Sequence, residues 1–150
     1  FMESIYLLLD RLYCTQLRDY LSGYDCHTEL FSVTNSYTQI GVLTIGLQLL
    51  VAFLYFRLFD PSESKGAKWG ITLGCSSLSS AVIAYFWASN AEANGLIGQC
   101  LLRDDQGNSL ITVSDFLGLG ISNAIIAAVF FFLFGLGFRY LSANNRYIPF

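Results

Sequence analysis

Charge is what this chain has least of. Only 13% of its 150 residues are charged, where a soluble domain carries about a quarter. None of them falls within 38–56, 69–91 or 116–138. Ionisable groups inside a membrane mark proton relays, ion coupling and voltage sensing. Their absence from these stretches argues against a pump or an ion-coupled transporter. Basic runs are also missing, and the net charge is −3, so nucleic acid is not an expected partner.

Histidine occurs once, at His27. No histidine can therefore hold haem within an apolar stretch. The segment Asp25-Cys26-His27-Thr28-Glu29 could suggest metal binding or acid–base work. It reads more simply as a solvated linker, because such a site needs further positioned ligands. A membrane enzyme would need Asp25, His27 and Glu29 to converge with groups from another loop. No C-x-x-C pair, P-loop, HExxH or GxSxG motif is present. The pairs Gly118-x-Gly120 and Gly135-x-Gly137 lie inside an apolar run rather than after a strand, which excludes a dinucleotide fingerprint. We expect no catalytic residue, no metal and no cofactor.

The N-terminus lacks the pattern of a signal peptide. Glu3 follows Met2 at once, and Asp10 and Arg11 interrupt the apolar run. Met2 is the expected natural start. The segment 146–150 carries no prenylation or retention signal.

What the chain does have is apolar length. More than half of it is hydrophobic, with mean hydropathy +0.51. Each charge-free stretch exceeds or approaches the roughly 20 helical residues that cross a bilayer core. The fold class is therefore an all-α integral membrane protein, read as one domain covering residues 1–150. Transmembrane helices are expected at about 38–58, 68–90 and 115–140. An amphipathic helix is expected at 3–22, where Leu9, Leu12, Tyr13, Leu17, Tyr20 and Leu21 recur at helical spacing. Residues 24–37 read as a linker. Residues 97–114 read as a small extracytoplasmic hairpin around Asp104-Asp105-Gln106-Gly107-Asn108, with Ser114 or Asp115 capping the last span. Asp60-Pro61-Ser62 predicts a tight turn between the first two spans.

Lys and Arg set orientation. Arg57, Lys65, Lys68, Arg139 and Arg146 fall on one side, and Arg11, Arg18 and Arg103 on the other. The bias places the N-terminus outside and the C-terminus in the cytoplasm. Organelle and bacterial inner membranes are not distinguished.

Helices associate in lipid by close backbone approach and interhelical hydrogen bonds. Gly70, Gly74, Ser77, Ala81, Ala84 and Ala88 share one face of the second span and predict a packing surface. Gly120, Ala124 and Ala128 repeat the device in the third. Phe130–134 is bulky and predicts a lipid-facing or partner-facing patch. Tyr37, Gly41, Thr44, Gln48 and Ala52 share a face of the first span. Thr44, Gln48 and Asn123 are the notable intramembrane polar groups, and each needs a partner. They either bond between helices or line a path in an oligomer. Of the four cysteines, Cys26 and Cys100 are a possible disulfide, and Cys75 reads as a small packing residue.

The expected function is a non-catalytic structural or accessory subunit of a multi-protein membrane complex. Its expected partners are the lipid bilayer and other membrane-protein subunits, with hetero-oligomers favoured over homo-oligomers. The alternative is a homo-oligomeric channel lined by Thr44, Gln48 or the serines of the second span.

Overall fold

The computed structural model describes residues 2–26, 28–32, 35–58, 65–104 and 106–141. His27, Asp105, the expected turn at Asp60-Pro61-Ser62 and the tail 142–150 lie outside the described residues. The elements run α1 (Met2–Leu7), a 3-10 turn (Asp10–Leu12), α2 (Thr15–Leu21), β1 (Tyr24–Asp25), β2 (Leu30–Phe31), α3 (Ser36–Leu58), α4 (Lys65–Ala93), α5 (Gln99–Leu102) and α6 (Val113–Leu141).

Three helices are long and apolar enough to cross a membrane: Ser36–Phe56, Gly66–Ala93 and Val113–Phe138. At 1.5 Å per residue the shortest, of 21 residues, is about 31 Å long. These helices point to a membrane location. α6 packs against both α3 and α4, while α3 and α4 touch each other much less. Large apolar side chains such as Leu50, Phe53, Leu78, Phe86, Ile121 and Val129 point outward from the bundle. Helices in a bilayer leave such side chains to lipid.

Helix starts follow local chemistry. Asn35 Oδ1 accepts the Thr38 backbone N–H at 2.9 Å and caps α3. α6 starts at Val113, one residue before the expected cap. Thr112 stands at the cap position, and Asp115 reaches back to accept its backbone N–H at 2.8 Å. This is half of a capping box.

The N-terminal segment corrects the expectation of one helix over 3–22. It breaks into α1, the 3-10 turn and α2. Tyr13 is extended (φ −145°, ψ 164°), which drops its ring into the bundle. The reason is packing on α6. Gly118 lies so close beneath the Leu12 carbonyl that a Cβ there would collide with it. Tertiary contact outweighs helical periodicity here.

Two loop expectations also change. Within 24–37, β1 and β2 pair antiparallel, Tyr24 opposite Phe31 and Asp25 opposite Leu30. Gly23 (φ 87°) and Glu29 (φ 55°) take the left-handed conformations that this turn requires. Within 97–114, the first arm is a helical turn, α5, and the pairing shrinks to one bridge between Arg103 and Ser109. That turn buries Leu101 in the core while presenting Cys100 to Cys26. Phe131 departs from the expected outward patch: it is fully buried and its ring lies 5.9 Å from that of Trp69.

Candidate functional site

The polar side chains of the spans converge below the N-terminal segment. Asn123, fully buried on α6, is the hub. Its Nδ2 donates to the Ser80 carbonyl on α4 at 2.7 Å. Its Oδ1 accepts from Thr44 on α3 at 3.1 Å and from the Tyr6 hydroxyl on α1. One turn away, Gln48 Nε2 donates to Ser80 Oγ at 2.9 Å and leans on the Ser76 carbonyl at 3.3 Å. Ser79 instead bonds to the Cys75 carbonyl of its own helix. Gln48 Oε1 and Ser77 Oγ are buried with no hydrogen-bond partner among the described residues.

Tyr6 and Tyr13 continue this chain upward. The Tyr13 and Tyr37 hydroxyls lie 2.9 Å apart, and the Tyr6 and Tyr37 rings stack with centroids at 5.0 Å. The Cys14 backbone N–H donates to Asp115 Oδ1 at 2.9 Å. The N-terminal segment thus closes one end of the bundle and inserts a hydroxyl into it. Sequence patterning gave no sign of Tyr6. Its partner lies 117 residues away, and no local spacing reports such a contact.

Electrostatics at this end follow burial. Loss of solvent pushes the Tyr6, Tyr13 and Tyr20 phenols up. It pushes the Cys14 thiol up as well, which keeps that sulfur protonated and unreactive. Asp104 is the opposite case. The Asn108 side chain and the backbone N–H groups of its turn hold the carboxyl below its usual range.

The small-residue positions divide by depth. Ala84 and Ala88 are fully buried, Ser77 nearly so, and Ala81 is half-buried. Gly120 lies directly under α4: a Cβ there would stand 3.1 Å from the Ala81 carbonyl oxygen. Ala124 and Ala128 are half-buried. Gly70 and Gly74 differ. Both are exposed, and a Cβ at either would meet nothing within 4 Å. Cys75 beside them is exposed too.

Cys26 and Cys100 form a disulfide, Cα–Cα 6.1 Å, joining the β1–β2 hairpin to α5. Gly98 makes room for it, since a Cβ there would overlap the Cys26 sulfur. Asp25 Oδ2 accepts from the Thr28 hydroxyl at 3.1 Å. Among the described residues no group of three His, Cys, Asp or Glu side chains could hold a metal ion. No family model, curated protein or solved structure matches this chain.

Proposed function

We propose that the protein is a non-catalytic structural or accessory subunit of a multi-protein membrane complex, docking to other membrane-protein subunits through small-residue helix faces. The observation that carries this reading is the unused half of the α4 stripe. Ala84 and Ala88 are consumed by packing inside the chain, whereas Gly70 and Gly74 are open. Exposed glycine in a helix costs about 0.5–1 kcal/mol relative to alanine. Close approach of a second helix backbone offsets that cost.

The end bearing the disulfide is the extracytoplasmic one in this reading, with the C-terminus in the cytoplasm. Two independent facts support it. Five of the eight basic residues lie, in sequence, between the first two charge-free stretches or after the third, and a disulfide persists in an oxidising compartment. The homo-oligomeric channel remains the alternative. Lined by Thr44 and Gln48 it would have to expose side chains that are 2% and 0% exposed; lined by the serines of the second span it has Ser79 on the open surface of α4.

The test is gentle detergent extraction from the native membrane, native electrophoresis, and mass spectrometry of the band. The expected result is one assembly containing other proteins, which Gly74→Leu releases without unfolding this chain. A species built only from this chain would refute the hetero-complex. Conductance of that species after reconstitution would establish the channel instead.

A further inference from the structure

The end of the bundle closed by the N-terminal segment carries a cleft that the packing argument does not use. Its upper lobe, about 580 Å³, lies between the β1–β2 hairpin and the loop leading into α5. Its lower lobe, about 280 Å³, lies between the adjacent ends of α3 and α4. Both are lined by Tyr20, Ser36 and Leu96, so they adjoin. The upper lobe alone falls within the roughly 300–1,000 Å³ of small-molecule sites.

The lining chemistry is selective. Amide side chains line both lobes, Gln39, Asn90 and Asn94 below and Gln99 above, beside Ser32, Ser36 and Asp25. An amide offers donors and an acceptor together, which matches hydroxyl groups that both give and accept. The rings of Tyr20 and Trp87 supply flat apolar faces with a polar edge, as the C–H face of a pyranose requires. The described lining residues include no Lys, Arg or His, and one carboxylate, Asp25. Among the described lining residues a phosphate-bearing headgroup would meet no cation.

The position of the cleft identifies the source of the sugar. Gln39 lies in the first turn of α3 and Trp87 near the end of α4, at the depth where amphipathic rings meet the bilayer interface. One turn deeper on the same faces stand Leu43 below Gln39, Ile83 below Trp87 and Phe86 below Asn90. These are 49%, 39% and 56% exposed. α3 and α4 pack more loosely on each other than on α6, and the seam beneath the cleft is apolar at these positions, above the Gln48–Ser80 hydrogen bond that joins the two helices. A headgroup in the cleft would place its acyl chains along that seam.

We propose that this cleft seats the neutral pyranose headgroup of a membrane glycolipid, with the amides of Gln39 and Asn90 bonding its hydroxyls and Trp87 stacking on the ring. The proposal does not rest on the subunit reading. Trp69→Phe leaves Trp87 as the sole tryptophan of two, and its emission reports occupancy. The protein, in a detergent without sugar, is titrated with monogalactosyl diacylglycerol, with phosphatidylcholine, with phosphatidylglycerol and with methyl galactoside. Saturable binding of the galactolipid is expected, at least tenfold tighter than of either phospholipid. Gln39→Ala with Asn90→Ala, both exposed positions, should weaken it at least fivefold while leaving thermal unfolding unchanged. Native mass spectrometry should count one retained galactolipid per chain. Equal binding of either phospholipid, or no effect of the double variant, would overturn the proposal. Equal binding of methyl galactoside would move the sugar source from the membrane to solution and overturn the lipid assignment.

Discussion

Replacing Asn123 by alanine tests the polar hub directly. Three hydrogen bonds reach this amide, but their losses are unequal. Thr44 keeps its bond to the Ile40 carbonyl at 2.8 Å. The Ser80 carbonyl remains inside a regular helix. The Tyr6 hydroxyl, on a fully buried side chain, loses its Asn123 acceptor and keeps only the Thr44 hydroxyl beside it. A buried group that loses its acceptor costs about 1–3 kcal/mol, and an interhelical bond in a membrane protein contributes about 0.6 kcal/mol on average. Asn123→Ala should therefore destabilise the bundle by about 2–4 kcal/mol. Tyr6→Phe alone should cost about 1 kcal/mol, since Asn123 Oδ1 retains Thr44. Both variants break the same Tyr6–Asn123 bond, so in the double variant the two losses should fall short of their sum by about 1 kcal/mol. The assay is reversible unfolding by SDS in mixed micelles, followed by tryptophan emission. Additivity within about 0.5 kcal/mol, or a cost for Asn123→Ala below that figure, would refute the hub.

Other perturbations separate the remaining features. Gly118→Ala, which drives a Cβ into the Leu12 carbonyl, should detach the N-terminal segment and increase proteolysis within residues 2–22; Gly137→Ala, which meets nothing within 4 Å, should leave it intact and raise stability by up to about 1 kcal/mol. Stability should also fall in alkali. The phenols of Tyr6 and Tyr13 are raised in the folded state, so their contribution is complete below about pH 10 and lost as pH climbs through the folded values. Melting temperatures measured from pH 8 to pH 11.5 should drop at the top of that range, and Tyr13→Phe should flatten the drop. Cys26→Ser should abolish the mobility difference between reducing and non-reducing gels. Opening a link with a sequence separation of 74 costs at most about 4 kcal/mol by chain entropy, and less where lipid already confines the spans.

The three spans were legible because charge stops at their borders, and a bilayer tolerates little else. The need of Thr44, Gln48 and Asn123 for partners was legible too, since lipid offers none. Which partners they find was not. Gln48 and Ser80 are 32 residues apart, and Tyr6 and Asn123 are 117 apart. The periodicity of 3–22 was real, because Leu17 and Leu21 are buried, but it could not report that Gly118 would draw Leu12 out of the helix. The run at 130–134 looked uniformly outward because composition carries no rotation. Burial separates these phenylalanines: Phe131 turns inward while Phe132, which also touches the Trp69 ring, stays exposed.

Tyr37 of α3 and several residues of α6 together hold the N-terminal segment. Asp115, Gly118 and Asn123 all belong to α6. Chains emerge from the ribosome N-terminus first. Residues 2–21 are therefore made first and docked last, after two earlier spans have been threaded. Until then the Tyr6 hydroxyl has no Asn123 to bond and the Cys14 backbone no Asp115. Closure of the helical bundle is a late step in biogenesis. Truncation after α4 and before residue 123 would leave a chain with two membrane anchors but an unsealed top, a form that quality-control proteases can distinguish from the finished protein.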